Sequence, residues 1–172
     1  MHDKKQVLHD KKQVLHDEKT NFYNNKEVLY KNKKVLAWIL LLSWMAVIFI
    51  FSHMPGEMSS EKSRFVVSLL SIFGLDVNGP LADMANFLVR KGAHFTEYAI
   101  LFILAFNLIR YYFKLTPGLI ISLAFVFLYA CTDELHQIFV PGRAGMFKDV
   151  LIDTSGGAFA MAVTYAASKL KK

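Results

Sequence analysis

The sequence is poor in the residues that staple small folds or build the common metal motifs. Its single cysteine, Cys131, lies inside an apolar block. A disulfide framework within one chain and a cysteine-based zinc site are therefore both excluded. No HExxH pair, catalytic-serine motif, Gly-rich phosphate loop or zinc-ribbon spacing occurs. No basic and aromatic face recurs in the middle of the chain, so no nucleic-acid partner is expected. A small-x-small cleavage site is also missing after the first apolar run, where the sequence reads Ser52-His53-Met54-Pro55-Gly56. The basic flank and apolar run together read as an uncleaved anchor rather than a removable signal.

What is present is enough chain for one domain, 172 residues, and an excess of apolar side chains. The 54% hydrophobic share comes in long unbroken blocks, not dispersed at the periods of a soluble helix or strand. The formal charge of +6 gathers at the two ends of the chain, which suits a membrane surface.

The blocks predict an all-α integral membrane bundle of about four transmembrane helices, near residues 35–51, 92–110, 115–132 and 150–168. The first has 17 uncharged residues, at the short end of the roughly 17–25 that a bilayer needs. The second is unusual, because only 11 uncharged residues run from 99 to 109. To reach membrane length it must take in His94 and Glu97. The fourth carries Asp153 near its start and a small-residue run, Ser155-Gly156-Gly157-Ala158, that allows close helix packing.

Between the first two spans lie a polar loop with Pro55-Gly56, a short apolar stretch at 64–73, and breaks at Gly74, Gly79 and Pro80. An amphipathic stretch, 81–89, follows. An amphipathic or re-entrant segment at the outer surface is expected there. Three regions result: a Lys-rich tail (1–34), the transmembrane domain (35–168) and a short basic end (169–172). Residues 2–36 form five heptads, HDKKQVL, HDKKQVL, HDEKTNF, YNNKEVL and YKNKKVL, with lysine fourth in each. The favoured reading is a solvated or weakly helical tail; the alternative is an oligomerising or membrane-surface helix.

Lysine and arginine counts set the expected orientation. With the N-terminus inside, 14 of the 20 basic residues fall on the inner side and six, among them Lys62, Arg64 and Lys148, on the outer. Both termini are then cytoplasmic, with Lys169, Lys171 and Lys172 at the inner end. Three polar segments share the outer side. Arg90, His94 and Glu97 recur at i, i+4 and i+7; Asp133 and Gln137, like Asp149 and Asp153, are spaced i, i+4. Each set is one helix face. A charge near a helix centre costs about 2.5–3.5 kcal/mol even on a lenient insertion scale. Glu97 and Asp153, about one turn inside, are therefore expected to face polar partners and not lipid.

The donor set His94, Glu97, Asp133, Glu134, His136, Asp149 and Asp153 can exchange protons, or hold a divalent metal through nitrogen and oxygen. No tight motif supports a metal, and the sequence names no cofactor. Arg90 and Arg143 can clamp a phosphate or carboxylate. Plainer roles compete: Arg90 and Lys91 as interface anchors, His94 as a packing histidine, and Arg143 as a loop cation paired with Asp149.

The segments RKGAHFTEY, DELHQIFVPGR and KDVLIDTSGG, in this order on successive spans, closely resemble the VanZ-like family of bacterial membrane proteins. The end of the first span, IFIFSHMPG, is similar as well. The resemblance covers about residues 35–168 and leaves the heptads outside. Residue by residue, the family pattern falls on Arg90, Lys91, His94, Glu97, Asp133, Glu134, Gln137, Arg143, Asp149 and Asp153; His136 stands apart as a variable position. The resemblance implies a multi-pass protein of the bacterial cytoplasmic membrane linked to glycopeptide resistance, chiefly to the lipid-bearing drug teicoplanin.

One expectation is a site at the outer face that binds or modifies an envelope lipid or lipid-linked precursor. His94, Glu97, Asp133 and Asp153 are its candidate catalytic residues. Arg90, Lys91, Glu134, Gln137, Arg143 and Asp149 are its candidate substrate-binding residues. The alternative is a non-enzymatic structural or regulatory membrane partner whose polar cluster is a salt-bridge network. Membrane lipids are expected partners on either reading, and an oligomer is compatible with both. A small transporter is the third and weakest reading, since polar residues do not continue through to the inner side.

Overall fold

The computed structural model describes residues 2–57, 61, 64–68 and 80–170. The expected breaks at Gly74 and Gly79, and Lys62, Lys171 and Lys172, lie outside the described residues. Among the described residues the chain is helical, with no strand. Four helices account for nearly all of it: α1 (His2–Ser52), α2 (Pro80–Ile109), α3 (Leu115–Gln137) and α4 (Phe147–Leu170). Each is long and apolar enough to cross a membrane, over Lys26–Ser52, Asp83–Ile109, Leu115–Gln137 and Phe147–Leu170. The chain divides into two compact units, Met1–Ile39 and Leu40–Lys172.

Helix α1 holds neither glycine nor proline, so nothing interrupts its backbone hydrogen bonds until it ends before Pro55-Gly56. The backbone through the heptads is helical. Helix α2 differs from expectation in one respect. The amphipathic stretch 81–89 is not a separate surface segment but the first turns of α2, which Pro80 opens. Proline is tolerated at a first helical position because that N–H has no partner to lose. Gly92 does not break the helix, since Gly142 alone among the described glycines has a positive φ. It costs only its propensity, about 1 kcal/mol.

Within the second unit the buried side chains follow helical stripes. On α2 they are Tyr98, Leu101, Phe102, Ala105 and Leu108. On α3 the stripe passes through Leu119, Ser122, Val126 and Ala130 and then turns polar at Asp133, Glu134 and Gln137. On α4 it is Val150, Asp153, Gly156, Gly157 and Ala160. The outward faces carry Ile103, Ile120, Leu128, Leu151, Phe159 and Val163, all exposed. An apolar exterior around an interior that becomes acidic at one end is the arrangement a bilayer solvent selects.

Helix α2 packs most extensively on α4. A Cβ at Gly156 would run into the backbone carbonyl of Phe95, and one at Gly157 would come 2.8 Å from Val126 Cγ1. The last turns of α1 join through two side-chain bonds to backbone oxygens. Trp44 Nε1 donates to Glu97 O (2.9 Å), and Tyr129 Oη donates to Met45 O (2.7 Å).

Candidate functional site

Three helix ends, the middle of α2 and one loop build a polar end to the bundle. Ser52 closes α1, and its hydroxyl donates to Asp133 Oδ2 across 2.7 Å. Gln137, one turn beyond Asp133, donates to the same oxygen (3.2 Å) and to Glu134 Oε1 (3.1 Å). Glu134 Oε2 accepts from the backbone N–H of Met146 (3.0 Å), which ties the loop after α3 back onto the helix. A buried carboxylate needs donors, and these two have them.

Arg143 reaches in from that loop. Its guanidinium donates to Phe51 O and Met54 O, both at 2.9 Å, and to Gln137 Oε1 at 3.3 Å. Burial and the nearby Arg90 pull its pKa below the usual arginine value, against the pull of Asp133, Glu134 and Glu97. The loop lies against the segment after α1. Gly56 N–H donates to Pro141 O (3.2 Å), and a Cβ on Gly56 would overlap the Gly142 carbonyl. Gly142 itself has φ +73°, a left-handed conformation that favours glycine. Two of the three Pro-Gly pairs of the sequence, Pro55-Gly56 and Pro141-Gly142, thus meet in space.

Deeper in the bundle, His94, Asp133 and Asp153 converge from α2, α3 and α4. One donor atom from each lies within 4.8 Å of the others. His94 Nδ1 is 3.7 Å from Asp153 Oδ1. Asp153 is only 1% exposed, and neither of its carboxylate oxygens has a hydrogen-bond partner; His94 Nδ1 lacks one too. Tyr98, fully buried, brings its hydroxyl beside Asp133 without a bond of ordinary geometry. A nitrogen and two carboxylate oxygens from three helices form a donor set that fits a divalent ion.

Above this cluster opens a cavity of about 470 Å³ whose lining includes Arg90, Lys91, His94, Arg143, Lys148 and Asp149. Asp149, its one acidic group, is engaged by Lys91 Nζ. Asp149 is thus paired by Lys91 and not by Arg143. A second cavity of about 690 Å³, between residues such as Ile103, Arg110, Leu115 and Ser168, lies at the opposite helix ends and holds none of the candidate residues.

Most candidate residues from the sequence therefore meet at one end. Glu97 is the exception in detail. Its carboxylate lies within electrostatic reach of Asp133 and Arg143, while its backbone oxygen takes the Trp44 bond. Ser52, Tyr98 and Trp44 were not among the candidates, although Ser52 lay within the motif that ends the first span. Their roles depend on inter-helix contacts that no spacing within one segment reveals. His53 and His136 form a separate pair, with Nδ1 and Nε2 3.2 Å apart and both rings stacked near Phe49.

Four spanning helices around a polar cluster define a multi-pass helical membrane protein with a charged, partly enclosed site at one end of the bundle. The pattern of the VanZ/LLP1 family matches residues 37–168, and the chain belongs to that family, one tied in general to glycopeptide resistance. No curated protein and no solved structure is significantly similar to it.

Proposed function

We propose that this protein binds the anionic head group of an envelope lipid or lipid-linked precursor at the outer leaflet of a bacterial cytoplasmic membrane. One observation carries the reading: the cavity is lined by Arg90, Lys91, Arg143 and Lys148, and its single acid is already engaged by Lys91. Such a lining has positive charge to spare, and planar guanidinium groups suit phosphate or carboxylate. The lysine and arginine bias supports an outer position for this end, with both chain termini cytoplasmic. An amphiphile in the leaflet would present its head group at that depth. His94, on the cavity wall, with Glu97, Asp133 and Asp153 beneath, would position the group or exchange protons with it. The family's link to glycopeptide resistance, chiefly to the lipid-bearing drug teicoplanin, is consistent with an envelope-lipid ligand.

A second reading has its own support. The Ser52–Asp133–Gln137–Glu134 chain and the Arg143 contacts tie α1, α3 and the loop after α3 together, as a purely structural or regulatory network would. Single alanine variants of Arg90, His94, Glu97 and Asp153 separate the two, with teicoplanin susceptibility and membrane abundance measured together. A ligand site predicts lost resistance at normal abundance. A structural network predicts that resistance and abundance fall in parallel. Unchanged susceptibility in all four variants would remove the site from the function.

A further inference from the structure

Asp153 poses a problem that the head-group reading does not solve. Its carboxylate sits at 1% exposure with both oxygens unpartnered, and it points toward His94 Nδ1, which is also unpartnered. Burying a carboxylate without donors or a counter-charge is strongly unfavourable. Lys91, the cation nearest in sequence to His94, is committed to Asp149, and the Arg143 guanidinium is spread over Phe51 O, Met54 O and Gln137. A proton alone answers poorly. It would make one Asp153 oxygen a donor, and His94 Nδ1, at 3.7 Å from Oδ1, lies beyond hydrogen-bond reach.

We propose that His94, Asp133 and Asp153 form a binding site for one first-row divalent ion of the Zn²⁺ or Mn²⁺ class at the floor of the cavity. Ligand atoms about 2.0–2.2 Å from a tetrahedral ion lie about 3.3–3.6 Å apart. The His94–Asp153 separation of 3.7 Å nearly meets this, and the 4.8 Å limit for the set needs only a small side-chain closure. One imidazole nitrogen with two carboxylates suits zinc or manganese better than calcium or magnesium, which favour all-oxygen shells. Asp133 is already oriented for the role. Its Oδ2 is held by Ser52 and Gln137, which fixes the direction of the carboxylate. Supporting bonds of this kind fix a ligand's direction and raise affinity. Three protein ligands leave a coordination position open, and His94 borders the cavity above. The site stands whether or not a lipid head group occupies that cavity.

The test uses the full chain, purified in detergent without a polyhistidine tag, stripped with chelator and titrated with Zn²⁺, Mn²⁺ or Mg²⁺ alone. The expected result is one equivalent of Zn²⁺ per chain by elemental analysis. A hundredfold excess over Kd should raise the thermal midpoint by about 5–10 °C. Asp153→Asn, which keeps the shape and removes the charge, should weaken zinc binding at least about tenfold, and Ser52→Ala about as much. His94→Gln is the second ligand variant, so the result does not hang on the folding of one protein. The double variant His53→Ala/His136→Ala removes the other facing imidazoles and should bind as wild type. The proposal is overturned if the wild type takes up no stoichiometric zinc. It is equally overturned if Asp153→Asn and His94→Gln both bind normally, or if only the His53/His136 variant loses the ion.

Discussion

At the residue scale, Arg143 shows how much one side chain organises. Its guanidinium satisfies two carbonyls at the end of α1 and the amide oxygen of Gln137. Lysine carries the same charge on a point donor and cannot span that fork. Arg143→Lys should therefore cost about 1 kcal/mol of stability, read as a lower thermal midpoint in detergent, because part-buried acceptors lose their donors. Part of this site was legible in one dimension. Asp133 and Gln137 were read as i, i+4 neighbours, and they are hydrogen-bonded. The pairing of Asp149 was not legible. Arg90 and Lys91 are adjacent in sequence, and about 100° of helix rotation decides which one faces α4. Ser52, 81 positions from Asp133, is joined to it only by packing.

At the scale of elements, the approach of α4 to α2 rests on missing side chains. A methyl group at Gly156 meets the Phe95 carbonyl, a backbone atom that moves only if the helices part. At Gly157 it meets the side chain of Val126 on α3, 2.8 Å away, and not backbone. Ser155 is exposed and bonds only its own helix. Gly156→Ala should thus destabilise most, by about 1–3 kcal/mol, after any gain in helix propensity. Gly157→Ala should be milder and Ser155→Ala near neutral, an order that thermal unfolding of the three variants in detergent checks. A reversed order would mean that α4 does not approach α2 through Gly156. The small-residue run announced close packing, but the partner that each glycine admits is set by the other helix. The start of α2 teaches the complementary point. The second span is expected to begin near Gly92, yet α2 runs straight through that residue, where a Cβ would meet nothing within 4 Å.

At the scale of the whole molecule, the polar end and the basic loop between α2 and α3 must lie on opposite sides of a bilayer if α2 and α3 both cross it. With Cys131 replaced by serine, a lone cysteine at exposed Glu57 should react with a membrane-impermeant maleimide in intact cells. One at exposed Lys114 should react only after permeabilisation. The opposite labelling pattern would invert the molecule and put the cationic cavity in the cytoplasm. Lipid composition gives a second check at this scale. In a strain lacking the protein, the anionic envelope lipids or lipid-linked precursors should change in amount, and restoring the wild-type chain, but not Arg90→Ala, should reverse the change.

The sequence alone determined that this chain is helical and spans a membrane. An apolar block of membrane length satisfies its own backbone hydrogen bonds as a helix where the backbone cannot bond to water. It also determined which polar residues could not face lipid, since their placement along each block sets their depth. Only the tertiary structure decided who meets whom: Lys91 with Asp149, Ser52 with Asp133, and His94 with the unpartnered Asp153. A helix carries its own depth and periodicity, because its hydrogen bonds are local. Its rotation and separation from a neighbour are fixed by side chains on the other helix, at contacts such as Gly156 against Phe95.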